Sequence, residues 1–356
     1  MQWTLSEEQD AYQRALRDWL DDVAPAATVR AWFEAGDTSA FEERFVADGW
    51  AGVGTPEELG GQGGGLVELV LTAEELARSA APSATWLANV LAAPALAGRD
   101  GAAEAAFAGA AVALLVSAEK VPDAAPALAL AADGTVSGEA PRVLAGGTAA
   151  QFVVPVVDAA GSRSLRLVQA SADGVTVTPR DLLDRSRAVA DVVLAGAASE
   201  ALDVDAERVL RDASSRAAVL VAADTLGASE RMLALSVEYS KQRHQFGVPI
   251  GSFQAVKHAS ATIFVGVEAA RSVVYFAAAS VDADGPDSAL HAAATKAQVT
   301  AEGAKAADSA LTLHGAIGYT WEHDLHFFYK RAKLDERLAG SPTVWNERLA
   351  DALALV

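Results

Sequence analysis

Apolar positions along the chain keep a helical period, lose it, and regain it. Leu5, Tyr12, Leu16, Trp19 and Leu20 recur on one helical face. Thr4-x-x-Glu7 ahead of them has the form of a capping box. The pattern breaks over 52–65. The glycine run Gly60-Gly61-Gln62-Gly63-Gly64-Gly65 reads as a flexible loop, because no strand precedes it as a phosphate-cradling glycine loop requires. Helix is expected again over 67–80, and Pro82 and Pro94 punctuate the stretch after it. Between about 112 and 200 short β-favouring runs appear at 112–116, 152–157, 165–168, 175–178 and 189–194. Turn signals such as Asp133-Gly134, Ala145-Gly146-Gly147 and Asp173-Gly174 separate them, which predicts a small antiparallel β domain. From about 203 the helical period returns. Asp203 or Asp205 is expected to cap a helix to about 241. Helices should follow over 252–282, 287–313 and 321–338, then a short one after Gly340-Ser341-Pro342. The expected fold class is α+β in three parts: an N-terminal helical domain (1–111), a middle β domain (112–202) and a C-terminal helical bundle (203–356).

Charge and composition narrow the chemistry. The 356 residues carry 28 Lys and Arg against 47 Asp and Glu, a net charge of −19, which disfavours nucleic acid and anionic membrane as partners. There is no cysteine, which excludes disulfides, a thiolate nucleophile, Cys-ligated zinc and iron–sulfur clusters. The first eight residues lack the basic and apolar regions of a signal peptide. The uncharged apolar runs 84–98 and 105–118 are shorter than the ~20 residues of a membrane span. A cytoplasmic protein without a membrane partner is expected.

Six of the seven lysines lie after residue 240. Two basic clusters result, Lys241-Gln242-Arg243-His244 and Lys330-Arg331 with Lys333. Each reads as a solvated helix face or as an anion site. Arg243 is followed by Gln245, Phe246 and Gly247 at a helix end, where a guanidinium and free backbone N–H groups suit a diphosphate. In Leu313-His314-Gly315-Ala316-Ile317-Gly318-Tyr319-Thr320 two glycines allow close backbone approach, although a helix C-cap explains them equally well. His323 and His326 are expected to share a helix face near Glu322, but neither H-E-x-x-H nor G-x-S-x-G occurs.

Together these stretches resemble the acyl-CoA dehydrogenase family. Arg243-His244-Gln245-Phe246-Gly247-Val248-Pro249-Ile250-Gly251-Ser252-Phe253-Gln254-Ala255-Val256-Lys257-His258 is close to its R-x-Q-F-G-x-P-I-x-x-F-Q-x-x-K-H signature. His314-Gly315-Ala316-Ile317-Gly318-Tyr319-Thr320-Trp321-Glu322-His323-Asp324 is similar to its H-G-G-x-G-[FY]-T-x-E-H block, and Glu57-Glu58-Leu59-Gly60-Gly61 to its P-E-E-x-G-G segment. The resemblance implies the same fold, with a four-helix bundle as the last domain. It implies FAD as cofactor, with Arg243, Gln245, Phe246 and Gln254 on the diphosphate and adenosine. The backbone around His314, Gly315 and Gly318 would serve the partner side of the same dinucleotide, with Thr320 and Glu322 near the cofactor. Acyl-CoA substrates and an electron-transferring flavoprotein are implied as well.

The departures from the family pattern carry equal weight. The family's catalytic Glu stands at one of two places, which here hold Ala339 (in Leu338-Ala339-Gly340-Ser341) and Ala217. Alanine accepts no proton. Asp224, two turns beyond Ala217, is the one weak candidate for a substitute base. The family's T-E-P-x-x-G-S-D and W-I-T-N stretches, which contact the flavin ring, are replaced by residues 115–122 and 142–146. Thr312 replaces a usual Gln, and Ala316 the second Gly. The resemblance therefore implies a subunit of an FAD-dependent dehydrogenase of the kind that acts on steroid side-chain CoA thioesters. It would supply FAD diphosphate contacts and lack the catalytic Glu. A related subunit would complete a heterotetramer, with a homo-oligomer as the alternative assembly. Two other functions stand beside this: a self-sufficient flavoenzyme using Asp224 or altered chemistry, and a non-enzymatic scaffold without FAD.

Overall fold

The computed structural model describes residues 4–99 and 101–354. Met1–Trp3, Asp100, Leu355 and Val356 lie outside the described residues, and with them the parts of the expected N-terminal segment and domains that fall there. The elements in chain order are α1 (Glu7–Val23), α2 (Ala26–Ala35), α3 (Ser39–Ala47), α4 (Leu66–Arg78), α5 (Ala84–Ala92), α6 (Ala102–Phe107), β1 (Val112–Leu114), β2 (Leu128–Leu130), β3 (Val136–Leu144), β4 (Gln151–Val157), β5 (Arg163–Gln169), β6 (Val175–Arg180), β7 (Val189–Ala197) and β8 (Glu200–Ala201). They continue with α7 (Ala206–Gln242), β9 (His244–Gln245), β10 (Val248–Pro249), α8 (Gln254–Asp282), α9 (Ser288–His314), α10 (Leu325–Asp335) and α11 (Pro342–Ala352). The order helical, β, helical is the one the resemblance implies.

The chain forms two compact units. One comprises residues 36–65 and 82–217. Its sheet runs β6-β7-β3-β2-β4-β5-β8, with β1 also on β4. The sheet is mixed, which corrects the antiparallel expectation: β1 and β2 both pair parallel to β4. Strand β3 went unseen in the hydrophobic pattern because its register on β7 shifts between Ala140 and Val143, which breaks the alternation. Leu96, Val112, Val153, Leu165 and Leu210 are buried in one apolar cluster that joins sheet and helices. The glycine loop is not slack. Gly54 N–H donates to Gly63 C=O, Gly63 N–H to Thr55 C=O and Gln62 N–H to Gly52 C=O, each at 2.9 Å, so the loop is a closed knot of main-chain bonds.

The other unit comprises residues 4–35, 66–81 and 218–354 of the described chain. Ser6, not Thr4, caps α1: Gln9 N–H donates to its Oγ at 3.2 Å, and Ser6 N–H donates to Gln9 Oε1 at 3.0 Å. Helix α1 packs on α4, α4 on α8, α8 on α9, and both α10 and α11 on α9. The long helices meet closely where side chains are small. A Cβ on Gly227 of α7 would fall 2.0 Å from the Glu74 carbonyl of α4, and one on Gly303 of α9 would fall 2.1 Å from Thr225 of α7. Glu74 is buried between helices: Arg271 donates to one of its oxygens and Tyr275 to the other, both at 2.7 Å. Burial outweighs the nearby Arg271 and pushes the Glu74 carboxyl up to about 7.

Candidate functional site

Helix α7 ends at Gln242, and a two-stranded ribbon follows. β9 and β10 pair antiparallel, Gln245 opposite Val248 and His244 opposite Pro249. Two residues remain for the turn, Phe246 and Gly247, at φ +54° and +82°. A two-residue hairpin with both positions left-handed is the type I′ arrangement, which favours glycine at its second position. Phe246 adopts this backbone without being glycine. Its ring is 92% exposed, edge-on to Phe253 at 6.1 Å. A left-handed backbone at a non-glycine residue that carries an exposed ring marks Phe246 as a candidate ligand contact.

Arg243 sits at the base of this hairpin. Its N–H donates to Tyr239 C=O and its C=O accepts from Ile250 N–H, both at 2.8 Å. The backbone is thus fixed while the exposed guanidinium has no ion pair or hydrogen bond among the described residues. Gln254 opens α8, whose N-terminus has no side-chain cap. Gln245 and Gln254 are exposed. A forked cation and a helix start with unsatisfied N–H groups are anion-binding parts.

The second stretch begins where α9 ends. Gly315 takes φ +62°, ψ −143°, a backbone that side-chain-bearing residues do not tolerate, and a short 3-10 turn runs over Gly315–Tyr319. Gly318 is buried, and a Cβ there would press on His314 and Leu311 at 3.0–3.1 Å. Thr320 closes the turn, its hydroxyl donating to Ile317 C=O at 2.8 Å. Glu322 is exposed.

An aromatic stack brings the two stretches together. The buried His314 ring lies on Tyr239, one turn before Arg243, at 4.9 Å and 21°. His323 meets His314 edge-on at 4.6 Å. Burial pulls both imidazoles below their usual range, and His326 falls to about 4 through burial and then the cations of Lys330 and Arg30. All three are neutral near pH 7, so the stack is uncharged. The segment is also tied down from α2: Arg30 donates to Trp321 C=O and pairs with Asp324 at 2.5 Å.

The structure corrects three expectations. His323 lies in the turn ahead of α10, so it and His326 do not share a helix face. Among the described residues no group of three or more His, Asp or Glu is arranged to hold a metal ion. The basic cluster 330–333 is consumed internally: Lys330 Nζ sits 3.4 Å above the Trp321 ring, and Lys333 bonds to Ala304 C=O and Asp308. Asp224 is sequestered. Arg331 Nε and Nη2 donate to its two oxygens at 2.7 Å each, and Nη1 donates to Ala81 C=O at 2.7 Å. The two side chains are 0% and 3% exposed. A carboxylate held by both oxygens inside the protein is a structural partner, not a proton acceptor for a ligand. Ala217 and Ala339 are buried methyl groups, Ala339 at φ +54° with its carbonyl accepting from Trp345 Nε1 at 2.9 Å. Tyr239 and Arg30 position the site and were not singled out in the sequence. Tyr239 lies four residues ahead of the Arg243–His258 stretch, while Arg30 gives no local signal.

Residues 207–354 match the C-terminal domain of acyl-CoA dehydrogenases, and residues 6–105 match the N-terminal domain. The chain is 35% identical over 348 residues to the acyl-CoA dehydrogenase IpdE2 of Mycobacterium tuberculosis, covering 95% of each chain. It is 33% identical over 362 residues to acyl-CoA dehydrogenase FadE34 of the same organism; 97% of this chain spans 48% of that relative, about half its length. Among solved structures it is similar to a variant of the Tcur3481-Tcur3483 steroid ACAD, with TM-score 0.88, 27% identity and 99% of each chain covered. It is also similar to the ChsE4-ChsE5 complex from Mycobacterium tuberculosis, with TM-score 0.87, 26% identity and 100% of each covered.

Proposed function

The chain belongs to the acyl-CoA dehydrogenase family, flavoproteins that bind FAD and oxidise CH–CH bonds, and from that premise we propose that it is the subunit of a heteromeric enzyme that holds the FAD diphosphate and lacks the catalytic base. Bound FAD supplies the two-electron acceptor for α,β-desaturation of an acyl-CoA thioester. The residues here fit its diphosphate end. Arg243 offers a fixed backbone and a free fork, the α8 N-terminus offers uncapped N–H groups, and Phe246 offers an exposed ring. Gln245 and Gln254 stand ready for the adenosine. The backbone at His314, Gly315 and Gly318, with Thr320 and Glu322 beyond it, serves the same dinucleotide from its other side.

The single observation that carries this reading is the contrast between those parts and the missing base. By the resemblance Ala217 and Ala339 stand at both places where the family keeps its Glu; both are buried, and Asp224 is closed off by Arg331. The base must come from another chain. The heteromeric steroid-type neighbours support a related dehydrogenase subunit as that chain, in a heterotetramer. By the same analogy the substrate is a steroid side-chain CoA thioester, the electron acceptor an electron-transferring flavoprotein, and the location cytoplasmic.

Arg243→Ala tests the cofactor contact. In the complex with the related subunit it should lower bound flavin at least tenfold while far-UV circular dichroism stays unchanged, since the Arg243 side chain makes no bond to the fold among the described residues. Unchanged flavin content would favour the scaffold reading.

A further inference from the structure

Arg30 stands on α2, yet its guanidinium reaches the segment that follows the Gly315 turn. It donates to Trp321 C=O and to Asp324 Oδ1, the latter at 2.5 Å. The same group lies 5.1 Å from the centre of the Phe327 ring, which meets Phe33 of α2 edge-on at 5.5 Å. The two groups that Arg30 holds bracket His323.

The partners of His323 fix its protonation state. Leu325 N–H donates to its Nδ1 at 3.2 Å. An imidazolium carries hydrogen on both nitrogens and accepts nothing, so this bond exists only while His323 is neutral. The His323 ring props His314 at 4.6 Å and stands edge-on to Tyr239 at 6.1 Å. Gly318 packs so closely on His314 that a Cβ would stand 3.0 Å from it. The turn that offers its backbone to a ligand therefore rests on this imidazole pair. Burial holds His323 below its usual range; Asp324 opposes this, Arg30 reinforces it, and Glu238 of α7 opposes it. Burial does the same for His314, helped by His323 and opposed by the Ala310 and Leu235 carbonyls. In α10 the next imidazole, His326, accepts from Lys330 Nζ at 3.2 Å and is neutral for the same reason. Without Arg30, Asp324 would lose its cation and draw a proton onto His323. The new charge would break the Leu325 bond and stand poorly solvated against His314.

We propose that Arg30 is a positioning residue for FAD: from α2 it keeps His323 and His314 stacked and neutral beneath the Gly315 turn, and acid opens the stack and releases the flavin. The inference rests on the flavin reading above and adds to it a proton-sensitive clasp.

The test takes the complex with the related subunit from pH 8 to pH 5 and reads released flavin by fluorescence. Wild type should hold flavin through pH 7 and release it below the ordinary imidazole value of about 6.5. Arg30→Ala should bind flavin roughly tenfold more weakly at pH 7 and release it about half a pH unit or more higher. Arg30→Lys keeps the charge without the fork, and should recover the release midpoint but only part of the affinity. His323→Asn keeps an acceptor for Leu325 N–H and cannot take a proton. Added to Arg30→Ala, it should bring the midpoint back to that of wild type or below. A pH-independent loss of flavin in Arg30→Ala, as a role in folding alone would give, would overturn the proposal. So would profiles that superimpose on wild type, or a shift that His323→Asn does not abolish. In each of these cases flavin bound to wild type at pH 8 leaves the Arg243 reading standing. A wild-type complex with no flavin at any pH would overturn both.

Discussion

Replacing Asp224 by alanine should be among the most damaging single changes in the 218–354 region, although the residue touches no ligand. Arg331 has no solvent exposure, and it donates to both oxygens of Asp224. A guanidinium cannot shed its proton to escape burial. Removing its carboxylate takes two charge-assisted bonds from a guanidinium that stays desolvated, a cost of about 3–5 kcal/mol. At roughly 2–4 °C per kcal/mol for a unit of this size, Tm should fall by about 6–20 °C. Asp224→Asn keeps the shape and one acceptor and should lose only about 1–3 kcal/mol. Removing both partners, Asp224→Leu with Arg331→Met, should recover most of the loss, because no unpaired charge remains. Differential scanning calorimetry and urea titration read all three. Single variants within about 0.5 kcal/mol of wild type, the range of ordinary surface changes, would refute the reasoning, as would a double variant no better than Asp224→Ala. If Asp224→Asn abolished turnover of the assembled enzyme while Tm stayed unchanged, Asp224 would be the base after all.

Two further predictions concern the segments around the site. Lys296 is buried and donates to the carbonyls of Asp335 and Gly340, both at 3.0 Å. Burial lowers its amine from 10.5 to about 7, against the pull of Asp335 and Glu336. Its folded pKa lies below the unfolded one, so the unfolded chain binds the extra proton between those values. Native stability should rise with pH from 7 to 10.5 by up to about 1.4 kcal/mol per pH unit and stay flat below 7. Urea titrations of wild type against Lys296→Met isolate that slope, and a pH-independent difference would contradict it. Gly315→Ala forces a Cβ into φ +62°, ψ −143° and should cost about 1–3 kcal/mol; a neutral result by urea titration would show that the turn relaxes.

The elements differ in how far the sequence revealed them. Helices α7, α8 and α9 end within two residues or so of their expected bounds, because Asp205 and the run Asp282-Ala283-Asp284-Gly285-Pro286 are local signals; Arg208 N–H bonds to Asp205 at 3.0 Å. The sheet was only half visible. Strand β2 has three residues, and β3 carries glycine, proline and a register shift, so neither shows a clean alternation. At the site, the hairpin turn could be anticipated from Phe246-Gly247, and Gly315 from its place at a helix end. The Asp224–Arg331 pair could not, because its members lie 107 residues apart and neither has a neighbour that signals the other. For the same reason Asp224 looked like an available acid in sequence and proved to be a buried partner.

The most direct test of the central claim is flavin stoichiometry. The chain should be purified alone and after co-expression with a related acyl-CoA dehydrogenase subunit, and FAD measured by absorbance against protein. Little or no flavin is expected in the chain alone, and about one FAD per pair in an active complex. A yellow homomer that desaturates an acyl-CoA without a partner would contradict the claim.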